Sequence, residues 1–352
     1  MDLYVLDKNL ELIDIIDEYE SFIWTDRYSE CGDFELYAAA SQQLVERLKL
    51  GYFIQNRLSN HVMIVEEILI KADVEEGNHL TITGRSLESI LDRRIIWGLK
   101  TVSGNLQNSV KTLLNECIIS PSDSNRKISN FIFEDSADPT ITGLSIEAQY
   151  TGDNLYDVIK AICSEADIGF QITLNDSKQF VFKLYAGADR SYDQSANPYV
   201  VFSPKFENLS NSNYIESDTS LKNVTLVGGE GEGAERKYTT VGSGSGLERR
   251  ELFTDARDIS SDVGDGVTLT PEEYTSQLQQ RGKEKLAETQ KATSFDGTAE
   301  TSVMYKYGVD YFNGDIVQIA NEYGHEGRAR VIETIISEGE TGTFMYPTFK
   351  TI

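Results

Sequence analysis

Short runs of alternating apolar and polar residues, separated by turn-forming residues, dominate the chain. The clearest run covers 19–37. Phe22 and Trp24 are spaced by two, and after a Ser-Glu-Cys-Gly turn Phe34 and Leu36 have the same spacing. Such spacing sends one face of a strand to a core and the other to water. The pattern predicts a β-hairpin anchored by the Trp24 indole, with Gly32 in a left-handed or bulge position. Because this stretch contains no reactive arrangement of side chains, it indicates a building block and not a catalyst.

The remainder of the first 99 residues continues this pattern. Further strands are predicted at 3–6, 12–16, 52–57, 61–70 and 79–83. A small helix is predicted after Ser41, with Gly51 at its end, and a second helical pattern covers 86–95. About seven short strands with little helix are typical of a β-barrel or a sandwich.

The middle of the chain changes to helical spacing. Apolar residues recur at intervals of three and four over 105–118 and 154–166, and two strands at 170–174 and 179–185 follow. This pattern predicts an α+β domain over 100–198.

Strands return from residue 199, interrupted by the longest predicted helix, 271–290. Pro271 suits the first helical position, Thr270 suits the N-cap, and Glu273 completes a capping box. The chain as a whole is therefore predicted to be mainly β with an α+β insertion. Two related antiparallel β-barrel domains would cover 1–99 and 199–352, on either side of the smaller α+β domain.

The two predicted barrels share a sequence echo. The segment 51–55, Gly-Tyr-Phe-Ile-Gln, leads to a strand at 64–69, and the segment 314–318, Gly-Asp-Ile-Val-Gln, leads to a strand at 331–336. Both strands carry Glu at their third position. Chance similarity between hairpins and a true duplication both explain the echo, and a duplication would place a counterpart of the Trp24 hairpin in the C-terminal region.

Acidic residues outnumber basic ones by 57 to 32, which gives a net charge of −25. This surface repels nucleic-acid backbones and anionic membranes, and no cluster of four or more basic residues reverses it. Solubility alone explains the charge. An acidic wall past which a negatively charged polymer slides without sticking explains it equally well.

Cys31, Cys117 and Cys163 show no C-x-x-C spacing and have no neighbouring histidine, so we expect reduced, mostly buried thiols. The N-terminus has neither a basic segment nor a long apolar core, and 18 apolar residues never run together. We therefore expect a protein made in a cytoplasm, without a signal peptide and without membrane insertion.

Glycines cluster at 228–233 and 242–246. The first cluster lacks the Gly-Lys-Ser/Thr ending of a P-loop, and its glutamates oppose a phosphate. The two clusters instead predict a long mobile hairpin over 228–246, ordered where a partner subunit holds it.

The other candidate ligands have no diagnostic spacing. Four aspartates lie in one glycine-containing loop: Asp255, Asp258, Asp262 and Asp265. They lack the spacing and the final bidentate Glu of a calcium loop. The histidines fall in separate predicted hairpins: His61, His79 and His325. No Gly-x-Ser-x-Gly elbow and no single carboxylate pair stands out. The sequence therefore assigns no catalytic residue, no cofactor-binding residue and no metal ligand, and predicts that the protein is not an enzyme.

A resemblance to a known family rests on segments distributed from the first strand to the last. They are Tyr4–Asp7, Tyr19–Trp24, Gly32–Leu36, Gly84–Leu87, Leu91–Arg94, Gly187–Ser191, Lys222–Val224, Val227–Gly233, Tyr307–Tyr311 and Tyr346–Phe349. Together they resemble the siphophage tail-hub family of tailed phages and phage-derived particles, which is similar to the central baseplate hub of contractile tails.

This resemblance implies a baseplate hub that forms a homotrimer. Two barrels in each of three chains would make a pseudo-sixfold ring, with the tail tube or tube-initiator proteins above and a spike, fibre or lysin protein below. A tape-measure protein is a further partner, and DNA would enter only as passing cargo through a channel lined by part of the acidic charge. The expected location is the baseplate or tail tip of a virion or of a headless, tail-like bactericidal particle.

Two other classes of function are a hydrolase, for which no carboxylate pair stands out, and a cell-wall or carbohydrate-binding module. Members of the family often carry a C-terminal peptidoglycan hydrolase or receptor-binding part, and this chain ends at Ile352 directly after its last predicted strand, from which we expect a separate lysin or spike partner. A cell-wall or carbohydrate-binding tail-tip module is the alternative, because β-rich domains with 18 Tyr offer rings for sugars.

Overall fold

Strands dominate the computed structural model of the chain, with 43% of the residues in strands and 21% in helices. The structure describes residues 1–75, 77–264, 266–299, 304–321, 323, 326–340 and 342–352, with the backbone alone at 211–212, 292–294 and 296–299. The predicted mainly β class is thus confirmed.

The strands, in chain order, are β1 Leu3–Leu6, β2 Leu12–Ile16, β3 Ser21–Arg27, β4 Asp33–Ala39, β5 Phe53–Gln55, β6 Val62–Asp73, β7 Gly77–Ser86, β8 Leu99–Asn105, β9 Phe131–Glu134, β10 Ser145–Thr151, β11 Gly169–Leu174, β12 Phe180–Tyr185, β13 Val201–Phe202, β14 Leu209–Ser217, β15 Val224–Gly228, β16 Tyr238–Gly242, β17 Glu251–Asp255, β18 Asp262–Gly264, β19 Val267–Thr268, β20 Ala292–Ala299, β21 Ile316–Ala320, β22 Glu326–Gly339 and β23 Gly342–Thr351. The α-helices are α1 Gln42–Arg47, α2 Leu106–Leu114, α3 Pro139–Thr142, α4 Leu155–Glu165 and α5 Pro271–Ala287.

One sheet of 13 strands contains both ends of the chain. Its main path is β14-β20-β23-β22-β3-β4-β7-β6-β5-β1-β2, and β21 joins β13 to β22 beside this path. The path falls into an N-terminal strand group, β1-β5-β6-β7-β4-β3, and a C-terminal strand group, β13-β21-β22-β23-β20-β14. Each group therefore joins its strands in the same order.

The register inside the two groups also matches. In the N-terminal group, four residues on neighbouring strands lie directly opposite one another and form a row across the sheet: Trp24, Phe34, Gly84 and Val65. The corresponding row across the C-terminal group consists of Tyr214, Phe295, Phe349 and Val331. After the last residue of each row the long strand has a register shift, between Val65 and Glu67 in β6 and between Val331 and Glu333 in β22. A bulge at an equivalent place is a specific feature, so the sequence echo extends to strand pairing and makes Tyr214 the counterpart of Trp24.

The groups differ in one respect and meet in one place. β1 and β5 are antiparallel, whereas β13 and β21 are parallel. The groups meet where β3 pairs with β22 in an antiparallel ladder from Arg27 opposite Glu333 to Ser21 opposite Gly339. Because β3 pairs with the other group, its own group stays open, and none of the sheets closes into a barrel over the described part of the chain. The division into two barrels therefore stays a prediction.

The Trp24 hairpin forms as predicted, and its indole is fully buried. The rings of Phe22 and Phe34 lie 5.8 and 6.4 Å from the Trp24 ring, centroid to centroid. The indole Nε1 donates a 2.8 Å hydrogen bond to Oδ1 of the buried Asp26. The hydrogen bond satisfies the polar edge of a ring that otherwise contributes apolar surface to the core.

The left-handed alternative for Gly32 was wrong. Gly32 does not take a positive φ angle; a Cβ there would lie 2.1 Å from the carbonyl oxygen of Thr25, so the position needs glycine for close backbone approach. The predicted helical turn after Ser86 forms as a 3-10 helix, Leu87–Arg93. In this 3-10 helix the buried carboxylate of Glu88 accepts a hydrogen bond from the backbone N–H of Ile172 in β11.

The middle segment packs α2 and α4 against small sheets. β11 and β12 form the predicted hairpin, and β8 and β10 form a two-stranded sheet that the sequence pattern did not predict. α5 begins with the predicted capping box of Thr270 and Glu273, but ends at Ala287. It lies between the sheet β16-β15-β17 and β10, where Tyr150 donates a 2.9 Å hydrogen bond to Glu284.

Replacing Trp24 with Ala is expected to lower the free energy of unfolding by about 3–5 kcal/mol, because a fully buried aromatic side chain leaves a cavity. The measurement is urea unfolding followed by circular dichroism. Trp97→Ala is the matched control, because the Trp97 side chain is 48% exposed. Equal loss of stability in the two variants would contradict the assigned role of Trp24.

Candidate functional site

Strand edges without a partner are the most conspicuous surfaces of the sheet. Within the described ranges, no strand pairs with the outer edge of β14, or with the edge of β6 opposite β7 from Glu67 to Asp73. Large apolar side chains are exposed on both: Leu69 (54%), Ile70 (52%) and Ile215 (47%). A third free edge is β2, at the far end of the sheet. Exposed apolar edges are ready templates for pairing with another chain.

Polar contacts tie the junction of the two strand groups together. The Tyr307 hydroxyl donates a 3.0 Å hydrogen bond to Oδ2 of Asp26, and the Asn313 amide donates a 2.8 Å hydrogen bond to the Asp26 carbonyl. The Thr334 hydroxyl in β22 donates to the Asn313 side chain at 2.8 Å. At the end of the ladder, the Arg27 guanidinium lies 2.7 Å from Glu333. The junction is therefore both a backbone ladder and a buried polar network.

A cleft of about 760 Å³ opens beside this junction. Three distant segments line it: 57–61, 183–190 and 306–315. Two of them touch at a pair of glycines, because a Cβ at Gly187 would lie 1.9 Å from the carbonyl carbon of Gly314. The Arg190 guanidinium holds this contact through a 2.6 Å ion pair with Asp315.

The cleft is cationic, although the chain is acidic. Arg57, Lys183 and Lys306 line it, and none of them forms an ion pair with a described carboxylate. The guanidinium carbon of Arg57 lies 5.3 Å from the centroid of the Tyr4 ring. Three separate segments supply these charges, so no local sequence signal could have predicted the cleft.

His61 lies in the wall of the cleft and is buried. Its Nδ1 lies 3.4 Å from Oε1 of the fully buried Glu88. Burial alone would lower the pKa of His61, but the negative charges of Asp26 and Glu88 outweigh it and raise the pKa to about 9. Burial would likewise raise the pKa of Glu88, but the charge of His61 and hydrogen bonds lower it. The two side chains form a buried ion pair.

The glycine clusters lie in a hairpin of β15 and β16, in which Val224–Gly228 pairs with Tyr238–Gly242. Glu230 accepts hydrogen bonds from Lys237 at 2.7 Å and from the Ser261 hydroxyl at 2.6 Å. These internal contacts occupy the Glu230 carboxylate, and the mobility of 228–246 stays a prediction.

Two carboxylates of the acidic loop, those of Asp255 and Asp258, lie in ion pairs. Asp255 contacts Arg257, whose hydrogen bond lowers the pKa of Asp255 to about 2. Asp258 lies 2.9 Å from Arg281, and Oδ1 of Asp262 accepts a hydrogen bond from a backbone N–H. Asp265 lies outside the described residues.

The remaining candidates are dispersed. The His79 ring stacks on Tyr37 with centroids 5.0 Å apart, whereas His61 contacts Glu88, and His325 lies outside the described residues. The three cysteines are free; Cys117 and Cys163 are buried as expected, and Cys31 is partly exposed. Over the described ranges, no three His, Cys, Asp or Glu side chains form a group suited to a metal ion.

No helix in the described part of the chain combines the length and the apolar character needed to cross a membrane.

Three solved phage tail proteins resemble the chain over nearly its whole length. The prophage tail protein gp18 from Listeria monocytogenes EGD-e has a TM-score of 0.55 at 15% identity, covering 100% of this chain and 95% of that chain. The tail protein from Neisseria meningitidis MC58 has a TM-score of 0.58 at 11% identity, covering 99% and 96%. The 43 kDa tail protein of prophage MuSo2 from Shewanella oneidensis has a TM-score of 0.58 at 11% identity, covering 100% and 98%. At these identities the likeness establishes the fold.

The fold is thus that of phage tail proteins, and the free strand edges suit a structural component of an assembly. The chain belongs to the family of Siphovirus ReqiPepy6 Gp37-like proteins, whose model matches residues 2–349. No curated protein matches the chain in sequence. The resemblance to siphophage tail proteins is confirmed, and with it a structural role in the phage tail.

The ion pair of His61 and Glu88 makes stability depend on pH. Because the pKa of folded His61 is about 9 and its ordinary value is 6.5, protonated His61 stabilises the folded chain fully below pH 6.5. This contribution is lost as the pH rises through about 9. We expect the free energy of unfolding to fall by roughly 1–3 kcal/mol over that window.

Urea midpoints at several pH values measure this dependence, and His61→Gln is expected to flatten it. His79→Gln serves as the control, because His79 lies at a different place on the sheet. If the wild type and His61→Gln lose stability equally over this window, the ion pair is not its source.

Proposed function

We propose that this chain is a hub protein of the baseplate of a phage tail or phage-tail-like particle. Three copies form a ring, and each copy contributes two similar β-barrel units, so that the ring has pseudo-sixfold symmetry. The ring joins a hexameric tail tube above to a threefold spike, fibre or lysin protein below. The role is structural and requires no catalysis.

One observation carries this proposal: the same strand order and the same bulge occur in both halves of one chain. A protein with two equivalent units can face sixfold partners on one side with only three copies. Family membership supports the tail location, and the free apolar edges of β6 and β14 supply surfaces for neighbours.

The acidic charge fits this function if part of it lines the central channel. A net charge of −25 keeps DNA from binding while it passes. A ring whose central hole is neutral or basic, with the acidic side chains outside, would overturn this placement.

The oligomeric state tests the hub directly. The purified full chain is expected to have three times its chain mass of 39.4 kDa by light scattering, and to appear in negative stain as a threefold ring with a central hole. Because like-charged subunits repel each other, association should strengthen as the ionic strength rises from about 0.01 to 0.15 M. A compact monomer under all these conditions would count decisively against the hub.

The cationic cleft favours a second candidate function, the binding of an anionic cell-wall polymer. In that case Lys183→Gln/Lys306→Gln should lower binding to purified host walls at least about tenfold, because neither side chain is paired with a described carboxylate in the cleft. The matched control is Lys49→Gln/Lys283→Gln, which removes two exposed lysines outside the cleft. Walls that bind neither the wild type nor the variants would eliminate this candidate.

A further inference from the structure

The contact between the two strand groups inside one chain shows how two equivalent units can join. The N-terminal group presents β3 as an edge strand, and the C-terminal group receives it along β22 after the bulge. In that ladder Trp24 lies opposite Ile336 and Thr25 lies opposite Ile335. The receiving edge is available because β21 pairs with β22 only as far as Arg330.

The N-terminal group has the same receiving edge, and it is empty. β5 pairs with β6 only as far as Ile64, which corresponds to Arg330 in β22. Beyond the bulge, Glu67–Asp73 pairs with β7 on one side, and no strand of the described chain pairs with the other. Counted from the two bulges, Ile70 corresponds to Ile336.

The C-terminal group has the same donating edge, and no strand in the described ranges pairs with it. β14 occupies the position that β3 has in the N-terminal group and pairs with β20 on its other side. The likeness extends to side chains: the Tyr214 hydroxyl donates to Glu216 two residues on at 3.1 Å, as the Trp24 indole donates to Asp26 at 2.8 Å. One chain therefore carries one filled junction and both halves of a second junction.

We propose that β14 of one copy pairs with the free edge of β6 in the next copy, in the register of the β3–β22 ladder. Tyr214 then lies opposite Ile70, Ile215 opposite Leu69 and Ser217 opposite Glu67. This ladder covers Leu69, Ile70 and Ile215, which are about half exposed in the single chain. The contact joins two different edges, so it is heterologous and generates a ring when the rotation closes.

The edge of β2 is the rival surface, since Leu12, Ile13 and Ile15 are also exposed on it. Among the described strands β2 has no counterpart in the C-terminal group, where the first strand, β13, has β21 as its partner. The repeated junction therefore selects β6, and it leaves β2 to a different partner.

Cross-linking between cysteines tests the register. Opposite residues of an antiparallel ladder have Cα atoms about 4.5–5.5 Å apart, within reach of a disulfide. A chain with Leu69→Cys and a chain with Ile215→Cys are mixed as full-length proteins and oxidised. We expect a covalent dimer from the mixture and none from either variant alone. Between two copies of the same variant, each β14–β6 contact contains only one introduced thiol.

Two pairings serve as controls. Lys71→Cys mixed with Ile215→Cys is displaced by two residues on the same face, where Cα atoms lie about 7–8 Å apart, and should give at least about tenfold less dimer. Ile13→Cys mixed with Ile215→Cys tests the rival edge. Ile23→Cys/Ser337→Cys, which lie opposite each other inside one chain, should form an internal disulfide and shows that the chemistry works. Oxidised wild-type protein is the control for cross-links formed by the three native cysteines.

The inference rests on the proposed ring, but the two can fail separately. A threefold ring that gives the dimer only with Ile13→Cys, or not at all, would overturn the β14–β6 register and leave the hub standing. A monomer in light scattering would overturn both. Circular dichroism of the reduced variants shows whether each is folded. If a cysteine variant does not fold, the double variant Leu69→Ser/Ile215→Ser is measured in its place. It should weaken trimer formation about tenfold or more.

Discussion

The ladder between β3 and β22 is the interaction on which the rest of the structure depends. It joins Ser21–Arg27 to residues more than 300 positions away in the chain and makes one sheet of both halves. The Trp24 indole fills the core on one side of this ladder, and its hydrogen bond to Asp26 leads into contacts with Tyr307 and Asn313. The same residues therefore stabilise one half and attach it to the other.

This junction also explains why the surface has the edges it has. Because β3 is used inside the chain, its counterpart β14 remains at the end of the sheet, and because β22 receives β3, its counterpart β6 remains open. A free apolar edge is a liability for an isolated protein and an asset for a subunit of an assembly. In a chain of charge −25, such edges offer apolar contact and backbone hydrogen bonds where like charges would otherwise keep copies apart.

Local features could be predicted well from the sequence. The spacing of Phe22 and Trp24 predicted the hairpin, and Thr270 with Glu273 predicted the start of α5, because these signals depend on neighbours within a few residues. The echo around Gln55 and Gln318 left chance similarity and duplication open, and the matching strand order and bulges in the structure favour duplication. Leu69 and Ile70 lay inside a predicted strand, 61–70, and their exposure at a strand edge became visible in the structure.

What the sequence determined by itself was the alternation of strands, turns and helix starts, the acidic surface and the absence of a recognisable reactive motif. Only the tertiary structure decided that β3 pairs with β22, that Gly32 is needed for close contact with Thr25, and that three distant segments bring Arg57, Lys183 and Lys306 to one cleft. The physical reason is that pairing partners across hundreds of residues are chosen by burial and register in the whole sheet, which alternation within one strand does not encode. The sequence predicted that the Trp24 hairpin anchors a core, but only the structure shows that its strand β3 pairs with β22.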